Sequence, residues 1–239
     1  MLELSQECFI SEISKIRLLF IKTANGPTTA RLLNTRLLER LGLAMTALLD
    51  TQELTQTANI YKLISLLYGS PTDAMEDVLS FLKETLTDIR PDLIPIVSEM
   101  EKFFVGNTNL EDLKLEHAKL FVGPFDLLAP PYGSIYLDGQ RRLMGDSTVE
   151  VLQAYREAGL TLSNDFKQPP DHIITELEFL YYLIAKHLET KDNKWLTMKD
   201  AFNNKYLRPW IMDFANRIEN NSKNKFYKGL AKLTQELVS

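Results

Sequence analysis

Apolar residues recur at steps of three and four along nearly the whole chain, and sustained alternation is absent. A helix puts residues i, i+3 and i+4 on one face, whereas a half-buried strand alternates, so the pattern predicts an all-α protein. Ile60, Leu63, Ile64, Leu67 and Tyr68 form one such face, expected to start around Thr51 to Glu53 and to stop at Gly69, Ser70 and Pro71. The next helix should begin near Thr72 and bury Met75, Val78, Leu79 and Leu82. Pro91 and Pro95 punctuate a turn and open a helix with Ile96, Met100 and Phe103 inward. A further helix is expected from about Leu110 to Phe121, burying Leu113, Ala118 or Leu120, and Phe121.

Between Val122 and Asp146 the helical pattern fails, because Gly123, Pro124, Pro130, Pro131, Gly133, Gly139 and Gly145 interrupt it. Loops of this length inside a domain are uncommon and are either functional or disordered. Phe121, Phe125, Leu127, Leu128, Tyr132, Ile135, Tyr136 and Leu137 are too apolar for a solvated linker, so the loop is expected to pack. Helix resumes at Asp146 or Ser147, both plausible N-caps, buries Val151, Leu152 and Tyr155, and ends at Gly159. After a second break from Thr161 to Pro170 comes a strong helix with Ile174, Leu177, Leu180, Tyr181 and Ile184 inward. Two or three more helices follow, broken at Arg208 and Pro209 and again around Asn220 to Asn224. The expected fold is one globular domain of about ten helices, with a hinge near residues 160–170 as the place where two subdomains would join.

Composition narrows the classes. The chain has 239 residues, 45% of them hydrophobic, and its single cysteine, Cys8, cannot pair within the chain, which points to a reducing compartment or simply to no use for thiol chemistry. The apolar runs Leu18 to Ile21 and Leu41 to Ala44 fall far short of the roughly 18 residues that a membrane span needs. A cytoplasmic address and no membrane insertion are therefore expected. Net charge is −5, with acids outnumbering bases about two to one over residues 51–180 and the reverse over residues 191–239. An acidic middle disfavours nucleic-acid binding and favours a cationic partner, while the basic tail reads as a solvated face.

Little in the chain suggests catalysis or a cofactor. His172 and Glu176 are spaced to share a metal ion, but His187 lies roughly 20 Å further along the same helix at 1.5 Å per residue, so no metal site and no cofactor are expected. Neither a phosphate-binding glycine loop nor a dinucleotide fingerprint is present. Asp171 beside His172, with Ser134 in the loop, raises the alternative of a helical hydrolase or transferase. Against it stand the angle of about 100° between adjacent helical side chains and the lack of a nucleophile elbow around Ser134. The structural reading has Asp171 capping the helix and His172 bonding a loop carbonyl.

The stretch Leu120 to Asp138, LFVGPFDLLAPPYGSIYLD, is followed by Gly145, Asp146, Ser147 and Thr148 and then by Gln168 to Phe179, QPPDHIITELEF. In order and spacing these blocks resemble the TorD/DmsD family of redox-enzyme maturation chaperones, from about Met45 to the C-terminus. The resemblance implies an all-α, non-enzymatic chaperone. Its partners would be the twin-arginine leader and apo form of a molybdenum-cofactor oxidoreductase, which it would hold during cofactor insertion and export proofreading. It places Phe125, Tyr132, Gly133, Ser134, Tyr136, Gly145, Asp171 and His172 in or beside the leader pocket, with His117, Leu120, Phe121, Gln168 and Glu176 as further candidates. Gln168 stands where the family's hinge motif usually has glutamate, and Tyr132 where tryptophan is common. Asp171, Glu176 or Asp138 would meet the leader's guanidinium groups, while its apolar stretch packs as a helix in a groove. A helix-binding scaffold without leader selectivity is the remaining alternative. Residues 1–44 are expected to be an upstream extension from a misassigned start, or else one or two extra amphipathic helices, with the chaperone domain spanning 45–239. The expected state is a monomer, with domain swapping at the hinge as the route to a dimer.

Overall fold

The computed structural model describes residues 29–104, 110–123, 127–139, 143–161 and 168–238. Contacts divide the chain into Met1–Asp50 and Thr51–Ser239. Most of the expected extension and the centre of the expected hinge, residues 162–167, lie outside the described residues. Every regular element described is helical, with one isolated β-bridge between Tyr132 and His172.

The first helix, α1, runs Thr29–Leu67 and so passes straight through its expected start at Thr51 to Glu53. Threonines there do not interrupt it, because Thr46, Thr55 and Thr57 each donate their hydroxyl to the carbonyl four residues back, at 3.0, 2.7 and 2.9 Å. Its end falls where Gly69, Ser70 and Pro71 predict, and Ile60, Tyr61, Ile64, Leu67 and Tyr68 are buried.

Helix α2, Met75–Ile89, buries Met75, Leu79, Leu82 and Leu86 at helical spacing. A 3₁₀ turn, Pro91–Leu93, leads into α3, Ile94–Glu101, with Val97 and Met100 inward, while the predicted Ile96 and Phe103 are only partly buried. Helix α4, Leu110–His117, continues as a π-helical turn, Ala118–Val122, that ends at Gly123 with φ 86°. Among its described residues the loop packs, with Ala129, Pro130, Pro131, Gly133 and Ser134 buried, and forms one short helix, α5, Ser134–Leu137; it closes with α6, Asp146–Glu157.

Helix α7, Ile173–Thr190, is the central strut, burying seven side chains from Ile173 to Ile184. It is followed by α8, Lys194–Phe202, a second π-helical turn, Asn203–Leu207, then α9, Arg208–Asn221, and α10, Lys225–Val238. Pro209 sits in the first turn of α9, where its missing N–H costs nothing. Helix α10 packs on α3 and α9, α7 packs on α8, and α5 rests on α6 and α9. Tyr68, Phe121, Phe214 and Tyr227 meet as a ring cluster with centroid separations of 5.5 to 6.0 Å, joining the turn that follows α1, the first π turn, α9 and α10. No helix among the described residues is long and apolar enough to cross a membrane.

Candidate functional site

Prolines lack a donor, so their carbonyls are what they offer to neighbours. In this protein three of them order the loop, α6 and the start of α7. Pro131 accepts from Ile173 N–H at 2.9 Å, Pro130 from the Tyr136 hydroxyl at 2.8 Å, and Pro170 from the Tyr155 hydroxyl at 2.9 Å. Gly133 N–H donates to the Asp171 carbonyl at 2.9 Å, completing the bridge that sets Tyr132 beside His172. Their rings meet edge to face at 5.2 Å.

Asp171 and His172 exchange the structural roles expected of them. His172 is the N-cap of α7, its Nδ1 accepting from Ile174 N–H at 3.1 Å, which leaves the ring proton on Nε2. Asp171 instead reaches back to the loop and accepts from Ser134 N–H at 2.7 Å. Adjacent positions at a helix start point in different directions, so the residue with extended backbone takes the cap; His172 has ψ 138°.

Behind this seam lies a second buried carboxyl. Glu176 accepts from Trp210 Nε1 at 3.2 Å, and both Glu176 and Asp171 are fully buried. Burial first, and then the charge of Asp171, pushes the Glu176 carboxyl well above the usual carboxylate range, outweighing the indole bond that pulls it down. A Cβ on Gly133 would lie 3.0 Å from Trp210 Nε1 and 3.4 Å from Glu176 Oε1, so this position is kept bare for space.

In front of the seam is a cleft of about 400 Å³. It gathers His117, Phe121, Tyr132, Gln168 and His172 from the predicted set, and adds Tyr68 and Ile174. Tyr132 donates its hydroxyl to Gln168 Oε1 at 3.0 Å, so the glutamine at the hinge motif braces the aromatic wall. His117 Nε2 donates to the Tyr68 carbonyl at 3.1 Å. Burial lowers its pKa, partly offset by that bond, and burial with His117 nearby lowers His172 to about 4. Both imidazoles are neutral at neutral pH, and none of the described lining residues is charged. The cleft is an aromatic, uncharged trough with a few hydrogen-bonding tips.

The remaining predicted residues lie elsewhere. Leu120, Gly133, Ser134, Asp171 and Glu176 are buried behind the wall and support it. Tyr136 faces a different cleft. Gly145 makes room for Asp138, whose carboxylate would sit 1.9 Å from any Cβ there and which accepts from Ser147 N–H and Oγ at 3.2 and 3.0 Å. Asp138 therefore caps α6, the role expected of Asp146 or Ser147, and is committed to that task. The acidic margin expected from Asp171, Glu176 and Asp138 is not on the cleft surface. Phe125 lies outside the described residues. Tyr68 and Trp210 were not foreseen as site residues; Tyr68 shares the apolar stripe of Ile64, and Trp210 follows the helix-opening Pro209, but neither carries a motif.

The hydrolase alternative fails on geometry. Ser134 is fully buried with its Oγ unpartnered among the described residues, Asp171 bonds the Ser134 amide, and His172 has given Nδ1 to its own helix. No relay from acid to imidazole to hydroxyl exists.

Comparison with known proteins bears on the same segment. A family model described as nitrate reductase delta subunit, that of the TorD/DmsD group, matches residues 71–216, more than half of the chain. The chain belongs to the TorD/DmsD family. Among curated TorD/DmsD proteins, the chaperone protein TorD of Shewanella loihica is 28% identical over 195 residues, covering 76% of this chain and 89% of its own. The Tat proofreading chaperone DmsD of Salmonella typhimurium is 29% identical over 125 residues, 52% of this chain and 58% of its own. A candidate redox enzyme maturation protein of known structure from Archaeoglobus fulgidus covers 75% of this chain and 91% of its own at 22% identity and a TM-score of 0.49. As a TorD/DmsD protein the chain is a chaperone of redox-enzyme maturation and not an enzyme.

Proposed function

We propose that the chain is a cytoplasmic chaperone that binds the twin-arginine leader of a molybdenum-cofactor oxidoreductase, and holds the apoenzyme through cofactor insertion and export proofreading. The observation that carries this reading is the uncharged aromatic cleft, built where the two sequence blocks of the family meet and held by the Tyr132–His172 bridge. That chemistry suits the apolar stretch of a leader laid as a helix in a groove. Binding an apolar segment in a preformed cleft avoids most of the ordering cost that a flexible site would carry. His172 Nε2–H and the Gln168 amide supply donors for exposed leader carbonyls, while Asp171 and Glu176 hold the wall from behind. The proofreading role in the names of the DmsD relatives supports the same assignment.

Calorimetry with a twin-arginine leader peptide tests it. Replacing two leucines of the leader's apolar stretch by glutamine should weaken binding by at least about tenfold, since burying each is worth roughly 1.5–3 kcal/mol. Arg→Gln changes in the leader should cost less than these, because no carboxylate lines the described cleft. Absence of leader binding would sink the proposal. A second measurement is maturation of a partner reductase in cells carrying His172→Ala or Tyr132→Ala, expected to fall while the purified variants keep native circular dichroism.

A further inference from the structure

The loop that walls the first cleft also walls a second. Tyr132 lines the first and Tyr136, one turn later, lines the other, a cleft of about 390 Å³ between the Ile135–Gly139 stretch and helix α9. From α9 come Asp213, Asn216, Arg217 and Asn220 at spacings of three and four, one continuous polar stripe. Tyr136 is held at three points: its ring stacks on Trp210 at 5.4 Å, its hydroxyl is spent on the Pro130 carbonyl, and the Arg217 guanidinium lies over the ring, 5.1 Å from its centroid.

Held by that stack, Arg217 makes no ion pair with any carboxylate among the described residues, although Asp213 stands one turn before it. The side-chain amides of Asn216 and Asn220 are exposed and find no hydrogen-bond partner among the described residues. A pair of amides one turn apart presents donors and acceptors together, the set that an extended peptide backbone requires. A planar guanidinium fixed against an aromatic ring is suited to receiving a carboxylate bidentately. With Asp213 beside Arg217 the described lining carries one acid and one base, which disfavours a polyanion; the place for a single carboxylate is Arg217 itself, held against Tyr136 with no ion-pair partner among the described residues.

We propose that this second cleft binds an extended, carboxylate-bearing peptide segment, with Asn216 and Asn220 on its backbone and Arg217 on its acidic side chain. The proposal stands independently of whether a leader fills the first cleft. The probe is acetyl-Gly-Ser-Glu-Gly-Ser-amide, titrated into the labelled full chain while the Arg217 Nε–H and the Asn216 and Asn220 side-chain amide signals are followed by NMR. These three should shift together and saturate. The Gln version of the peptide should bind about tenfold more weakly, the loss of one charge-assisted pair. Arg217→Gln should bring the Glu peptide down to the level of the Gln peptide while the backbone spectrum stays native. Arg217→Lys should recover only part of the difference, because the planar face over Tyr136 is gone. Asparagine amides that do not respond, equal binding by acetate alone, or unchanged affinity in Arg217→Gln would each overturn the proposal. A leader titrated in the same sample reports on the first cleft through the His117 and His172 ring signals, so failure of one reading is separable from failure of the other.

Discussion

His172 and Glu176 sit four residues apart on α7, and burial moves their acidities in opposite senses. His172, at about 4 in the folded chain against an ordinary 6.5, takes its proton first in the unfolded chain. Its contribution to stability is complete above about 6.5 and is lost as pH falls toward 4. Glu176, raised well above 4.5, does the reverse: its contribution is complete below 4.5 and is lost as pH rises. Glu176→Gln keeps an acceptor for Trp210 and removes the titration. The unfolding free energy of the wild type minus that of this variant should therefore decline as pH rises from 4.5, read from urea midpoints across a pH series. A difference that stays flat would show that Glu176 is not held protonated. Asp171→Ala should cost about 1–3 kcal/mol by leaving the buried Ser134 N–H unpaired, whereas Asp171→Asn, which retains an acceptor, should cost less. Denaturant melts of the two variants compare them directly.

At the scale of elements, the helices with a one-sided apolar stripe were legible because burial enforces the spacing. Met75, Leu79 and Leu82 on α2, and Leu177, Leu180 and Ile184 on α7, needed only the 3.6-residue period. Boundaries set by proline or glycine were legible too, at Pro71 and Gly159, whereas at Arg208 and Pro209 the expected break is only a passage from π to α winding, the backbone staying helical throughout. The start of α1 was not, since threonine hydroxyls that bond back along the helix leave no mark in the pattern. Nor were the two π-helical turns, which no apolar period signals; each lies beside a cleft, Phe121 and Val122 in one case and Lys205 and Tyr206 in the other. The cap of α6 is a long-range one, because Asp138 reaches Ser147 across the loop. Gly145→Ala would place a methyl against Asp138, and we expect a loss of about 0.5–2 kcal/mol, the usual value of an N-cap, with leader affinity unchanged. Thermal melts paired with calorimetry check both halves of that statement.

Across the whole molecule, the family segment from Leu120 to Phe179 acts as a partition. Its aromatic loop is pinned to α7 by Pro131, Gly133 and Asp171, and it offers Tyr132 to one cleft and Tyr136 to another. The sequence announced which residues would gather there, since glycines, prolines and aromatics clustered where helical spacing failed. It could not announce which side of the wall each would take: Asp171 and His172 are neighbours, yet one is sealed behind the seam and the other lines the cleft. Arg217 stayed hidden for the same reason, being one basic residue among many in a tail that reads as solvated.

The most direct test of a leader-binding cleft is site-specific photo-crosslinking, with a benzophenone amino acid replacing Tyr132 in the full chain and a twin-arginine leader peptide added. The account predicts an adduct mapped by mass spectrometry to the leader's apolar stretch, and little adduct from the same probe at Tyr136. Adducts confined to the arginine pair, or stronger capture from position 136 than from 132, would contradict it.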